Sequence, residues 1–239
     1  AKEAEKIYTK KDAHIRQLEG LPIAVKDTAD IEGQPLTKGS LYLKDNISIE
    51  THYSIQRLLD AGGIVHARTT TPEFGCSGVC DSKLYGTTHT PWKLGYTSGG
   101  SSGGSGASLA VGSSPLATGS DIGGSIRIPA ACCGIVGYKP PYGRNPGGTA
   151  GSFDMYHALG PMSRTVSDAV MMQNILCGPH PLDNASIRPR YVLSDTYKGI
   201  QGLRIAWSMD LSFFEVDEYV QVNTLKTLDV LKDLGAELV

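Results

Sequence analysis

The sequence gathers positive charge nowhere: 22 Lys and Arg stand against 24 Asp and Glu, for a net charge of −2. A phosphate-tracking surface needs a basic stripe, so no nucleic-acid partner is expected. Long apolar runs are also missing. None approaches the roughly 20 residues that cross a bilayer, and the opening AKEAEKIYTKKDAHIRQLEG is too charged for a signal peptide. A soluble, cytoplasmic chain without a membrane partner is the expectation. Cysteine is sparse and odd in number, at Cys76, Cys80, Cys132, Cys133 and Cys177, without paired CxxC spacing. That argues against a disulfide framework or a four-thiolate zinc site and for reduced thiols. Cys76 and Cys80 could share a helical face as two metal ligands, yet no His or acid at useful spacing completes the set, and a free Cys is ordinarily a small buried hydrophobe. Neither metal nor cofactor is expected. No GxxxxGK[ST] occurs, which removes the phosphate loop. The histidines, at 14, 52, 66, 89, 157 and 180, fall in no local motif that would select a catalytic one.

What is present is enough for one sizeable core, with 239 residues of which 40% are hydrophobic, and we expect a single domain. From Tyr53 to Ala61 the pattern predicts a helix with Ile55, Leu58 and Leu59 on one face, stopped by Gly62-Gly63 and followed by a strand at Ile64–Ala67. The same order returns near the end. Val220, Val222, Leu225, Leu228, Val230 and Leu231 precede Gly235 and the strand-like Ala236–Val239. A strand with nothing after it would lack cover, so the expectation is a fragment, or one piece, of a longer protein. Near the start, Gly20-Leu21-Pro22 leads into a short strand, Ile23–Val25, that ends at Lys26-Asp27. In open α/β sheets ligands collect at the carboxyl ends of strands, which makes Lys26 a candidate functional residue. The alternative is a surface lysine whose stem covers apolar neighbours.

Residues 98–125 are rich in Gly and Ser and could be a flexible linker. Against that, Leu109, Ala110, Val111, Leu116, Ile122, Ile126 and Ile128 are interleaved or adjacent, and a solvated linker has no use for buried side chains. Glycine here is expected to let the backbone approach a ligand and turn its N–H groups into an anion-binding nest. Asp121-Ile122-Gly123-Gly124-Ser125 suits an oxyanion hole directly before a serine, so Ser125 is the candidate nucleophile. A lysine can serve as its base if burial keeps it neutral. Lys26 fits that role, and Ser101, paired with Ser102 between two Gly-Gly steps, could relay the proton. Activity would then rise as pH passes through neutrality. Gly99-Gly100-Ser101-Ser102-Gly103 also satisfies the G-x-S-x-G elbow of an α/β-hydrolase-type esterase. An elbow follows a strand, however, and Pro91 and Gly95 break the segment before it.

Three ordered motifs, Gly20-Leu-Pro-Ile-Ala-Val-Lys26-Asp27, Gly99-Gly-Ser-Ser-Gly-Gly-Ser105 and Gly119-Ser-Asp-Ile-Gly-Gly-Ser-Ile-Arg-Ile-Pro-Ala130, resemble the amidase signature family. Cys133–Pro140 and Gly160–Arg164 extend the similarity. The resemblance implies an α/β fold, a mixed β-sheet core flanked by helices on both sides, of which this chain would be only part, a single domain over 1–239 cut at both ends. It also implies a Ser-Ser-Lys triad of Ser125, Ser101 and Lys26, with a cis Gly100–Ser101 bond. The oxyanion hole would come from the backbone of Ile122, Gly123, Gly124 and Ser125. Ser102, Thr118 and Asp121 would support the turn, and Arg127 would anchor the loop or meet an acidic substrate. Glu73–Ser77 matches a pocket loop, so Gly75 and Cys76 are expected substrate contacts. The implied reaction is hydrolysis of a carboxylic amide through an acyl-enzyme, with carbamates and oligoamides open. The implied partners are a small-molecule amide or carbamate and, in a homodimer, a second copy. The glutaminase subunit of a tRNA-dependent amidotransferase is an alternative, but those subunits usually carry Thr where this chain has Ile122. A Gly-rich anion-binding module without turnover is another, and it would not need Lys26.

Overall fold

In the computed structural model the described residues are 2–10, 14–148 and 154–239. The chain divides into two compact units, Ala1–Asp195 and Thr196–Val239. Along it run the helices α1 (Lys2–Tyr8), α2 (Tyr53–Asp60), α3 (Gly103–Ala110), α4 (Arg127–Cys133), α5 (Val166–Leu176) and α6 (Glu218–Asp233). The strands are β1 (Pro22–Lys26), β2 (Ile64–Thr69), β3 (Asp81–Ser82), β4 (Gly86–Thr87), β5 (Leu116–Asp121), β6 (Val136–Gly137), β7 (Ala158–Ser163), β8 (Arg204–Ile205) and β9 (Glu237–Leu238).

The first unit is organised by a mixed five-stranded sheet of order β2-β1-β5-β7-β6. β1 lies parallel to both β2 and β5, and β7 runs antiparallel to β5 and β6. Alternation along the strands supplies one core on each face. Ile23, Val25, Leu116 and Leu159 pack with Ile55 and Leu58 of α2 and Met172, Ile175 and Leu176 of α5. On the other side Ala24, Ala117 and Met162 pack with Leu109 of α3 and with Ile126. Each fully buried Leu or Ile contributes about 1.5–3 kcal/mol by leaving water, so these two clusters hold the sheet between its helical layers. The small residues Ala24 and Ala117 let α3 sit close over β1 and β5.

α2 and its following strand form as expected, with the chain turning at Gly62 (φ 96°). α5 begins at Thr165, whose Oγ1 accepts from the Asp168 N–H at 3.1 Å and donates to its carboxylate at 2.7 Å, a local N-cap. The Gly/Ser segment differs from a simple nest. Its middle is α3, a helix that glycine propensity disfavours and that tertiary packing requires. A Cβ on Gly104 would overlap Thr70, and Ser105 Oγ ties the helix to the sheet through the Thr118 carbonyl at 2.8 Å. Not all of the interleaved apolar residues are buried either: Val111, Ile122 and Ile128 are 62, 54 and 36% exposed.

In the second unit β8 and β9 pair in parallel with α6 between them in sequence. Of the apolar residues expected on the helix face, Leu228 is buried while Val220, Val222, Leu225 and Val230 are exposed. One helix over two short strands provides no second layer to cover them. Among the described residues no helix is long and apolar enough to cross a membrane, and no group of His, Cys, Asp and Glu has the makings of a metal site.

Candidate active site

β1 ends at Lys26, and the side chain, two residues beyond Ala24, turns to the α3 face. It is 1% exposed. No acid pairs with its ammonium within the described residues. Nζ instead meets Ser101 Oγ at 2.6 Å and Ser120 Oγ at 2.9 Å. Burial pushes its pKa down from the usual 10.5 to about 7, against the weaker opposing influence of Cys80 and Asp121. Such a lysine is poised to take or give a proton near neutral pH. The backbone N–H of Lys26 donates to Thr118 Oγ1 at 3.2 Å, which fixes the end of β1 against β5.

Ser101 sits just before α3, after a cis Gly100–Ser101 peptide bond. Its neighbour Ser102 is fully buried; the Ser102 N–H donates to the Ser125 carbonyl at 3.1 Å, and its hydroxyl accepts from the Ser120 N–H at 3.3 Å. Ser102 therefore joins the two serine loops through backbone.

The loop after β5 is held by Asp121, which is fully buried. Its carboxylate accepts from the N–H groups of Gly124, Ile126 and Arg127 at 2.7, 3.1 and 3.3 Å, and from the Arg127 guanidinium at 3.0 and 2.9 Å. Burial alone would raise the Asp121 pKa; the guanidinium and these N–H groups outweigh it and bring it to about 2. Arg127 is thus occupied with the loop. Gly124 has φ 126°, and a Cβ there would stand 2.8 Å from Ile128 Cδ1. With the Gly124 N–H taken by Asp121, the donors of this loop left without a protein acceptor among the described residues are those of Ile122, Gly123 and Ser125.

Ser101, Ser120, Ile122, Gly123 and Ser125 line a cavity of about 480 Å³. Gly75 and Cys76 form part of its wall, and Phe74 beside them, at φ 53°, is half exposed. Gly75 stands so close to Ser101 that a Cβ on it would lie 3.4 Å from Ser101 Oγ. The sheet explains the convergence. Parallel β1 and β5 bring Lys26 and Ser120 to one edge, and antiparallel β7 brings its beginning there, with Ala158 opposite Asp121. The structure adds wall residues that no sequence pattern singles out: Ser120, Lys38 and His157. Ser120 is hidden in a serine-rich run, and His157 lies in no motif. The His157 Nδ1 is buried and has no hydrogen-bond partner among the described residues. Burial and the nearby Lys26 and Lys139 lower its pKa, partly opposed by Asp154 and Asp121, so the ring is neutral near pH 7. The elbow arrangement is not what surrounds Ser101: the segment before Gly99 is a series of turns with one isolated bridge, His89 to Thr97, rather than a strand.

A family model described as Amidase matches residues 1–239, and the chain belongs to that family, the amidase signature enzymes. It is 43% identical over 224 residues to an acylamidase of Rhodococcus erythropolis, covering 92% of this chain and 47% of that protein. It is 36% identical over 225 residues to a glutamyl-tRNA(Gln) amidotransferase subunit of Desulfotalea psychrophila, covering 92% of this chain and 46% of that one. Among solved structures it matches a bacterial aryl acylamidase of the amidase signature family with a TM-score of 0.90 at 32% identity, over 95% of this chain and 48% of the other. The chain spans about half the length of the curated relatives it matches.

Proposed function

We propose that this chain carries the catalytic residues of an amide hydrolase that works through an acyl-enzyme, and that residues 1–239 belong to one amidase signature domain. The observation that supports this most directly is the buried, unpaired Lys26 within 2.6 Å of Ser101 Oγ. In this reading Ser125 Oγ attacks the amide carbonyl carbon, and its proton passes through Ser101 to neutral Lys26. The N–H groups of Ile122, Gly123 and Ser125 receive the developing oxyanion. Gly124 shapes the hole rather than donating to it, because its N–H is engaged by Asp121. Lys26 returns the proton through Ser101 to the nitrogen of the departing amine as the carbon–nitrogen bond breaks. Water then hydrolyses the ester on Ser125. Carbamates and oligoamides offer the same carbonyl to the same groups.

The similarity to an amidotransferase subunit keeps a glutaminase role in view. Ile122 on the cavity wall, with its apolar side chain 54% exposed, favours the stand-alone amidase. The test is intact mass after treatment with phenylmethylsulfonyl fluoride. The wild type should gain one sulfonyl adduct on the peptide containing Ser125, and Ser125→Ala should gain none. An adduct on Ser101 would transfer the nucleophile to that residue, and no adduct on the wild type would overturn the acyl-enzyme reading.

A further inference from the structure

The charges around the cavity do not balance. Its wall includes Lys38 and no Asp or Glu. Lys38 is half-buried in the turn after β1, held by its backbone: its N–H donates to the Asp27 carbonyl at 3.1 Å, and its carbonyl accepts from the Phe74 N–H at 2.7 Å. These contacts fix where the residue stands and leave the ammonium without an ion-pair partner among the described residues. Each acid in the vicinity is engaged elsewhere. Glu73, next to Phe74, accepts from Ser40 Oγ at 2.6 Å. Asp27 accepts from the hydroxyls of Thr37 and Tyr85 and lies 3.6 Å from Arg68. Asp121 is matched by Arg127 at 2.9 Å. Lys26 is not on the cavity wall: its amine is turned to the hydroxyls of Ser101 and Ser120 and its pKa is lowered by burial, and burial also lowers the pKa of His157.

A single uncompensated cation on the wall of a partly enclosed cavity attracts an anion, because the low-dielectric surroundings weaken the screening that water provides. The rest of the wall is apolar at Phe74, Ile122 and Ile128. We infer that the substrate of this site is an amide that also bears a carboxylate, which Lys38 holds by a charge-assisted hydrogen bond while Ser125 faces the amide carbonyl. The inference rests on the amide-hydrolase reading for its chemistry but concerns a residue outside the proposed triad. The preference for a carboxylate should also weaken as salt is added.

The experiment uses the full chain and two probes of matched reactivity, 4-nitroacetanilide and succinic acid mono-4-nitroanilide. In the wild type the succinyl anilide should have the higher kcat/KM by about tenfold, the difference expected of one charge-assisted hydrogen bond. That ratio should collapse in Lys38→Met and be restored in Lys38→Arg. Calorimetry separates binding from turnover: Ser125→Ala should bind the succinyl anilide, and adding Lys38→Met should weaken that binding by about tenfold. A ratio unchanged in Lys38→Met, or no preference in the wild type, overturns the role of Lys38 and leaves amide hydrolysis standing. Lys38-dependent binding without hydrolysis of either probe upholds Lys38 and overturns the hydrolase reading. Absence of both hydrolysis and binding overturns the carboxylate assignment.

Discussion

Replacing Lys26 by Met tests the electrostatic heart of the site through stability, independently of any substrate. The folded protein holds the amine near pKa 7, against 10.5 in its ordinary state. At about 1.4 kcal/mol for each pH unit of that gap, the burden of keeping this group buried is at most about 5 kcal/mol at low pH. The sign follows from proton binding. Between pH 7 and 10 the unfolded chain binds the proton and the folded one does not, so this group makes wild-type stability rise with pH across that window. Its contribution is flat below the window and complete above it. Met retains most of the volume and removes the titration. It also removes the contacts to Ser101 and Ser120, a loss of about 1 kcal/mol each. Urea unfolding at a series of pH values from 6 to 10 is the assay. The wild type should gain on the variant by up to about 1.4 kcal/mol per pH unit within the window, with the Lys26→Met variant the more stable form at the acid end and the less stable at the alkaline end. Parallel curves would refute a lysine neutralised by burial. The same titration should appear in chemistry as a rate of Ser125 sulfonylation that climbs through about pH 7.

Asp121→Ala removes the acceptor of three backbone N–H groups and of the Arg127 guanidinium; a loss of about 3 kcal/mol is expected, read as a lowered urea midpoint, whereas Arg127→Ala, with its side chain 56% exposed, should lose far less. Gly104→Ala drives a methyl into Thr70 and should cost about 1–3 kcal/mol through overpacking, visible as a lower Tm; an unchanged Tm would mean that α3 can withdraw from the sheet without penalty.

The parts of the molecule legible in the sequence are those with a local cause. Gly62-Gly63 ends α2 wherever the chain goes next, and Ile23–Val25 reads as a strand because it is a short apolar run between a turn and a charge. The motifs around Lys26, Ser101 and Ser125 stand out by their glycines and serines, and the fold brings Lys26 to Ser101 and puts Ser101 and Ser125 on one cavity wall. The remainder depends on what the fold places opposite. α3 runs through a glycine-rich segment because Ala24 and Ala117 leave room for it, and propensity alone argues the other way. Ser120 resembles every other serine in its run until the neighbouring strand sets it 2.9 Å from Lys26 Nζ. Ile122 and Ile128 read as core residues, and only the shape of the cavity shows why two isoleucines are left at the surface.

The position of β1 has a consequence for assembly. It is the first strand among the described residues, yet it lies between β2 and β5, and Lys26 meets partners 75 and 94 residues further along. Contacts of that sequence separation close large loops and form slowly compared with local ones. Until β5 docks beside it the burial that lowers this amine to about 7 is incomplete, and in the unfolded chain it keeps its ordinary pKa of 10.5. Serine reactivity that depends on this lysine would then report that the first unit's sheet is complete, and a partly assembled intermediate holding Lys26, Ser101 and Ser125 would lack it.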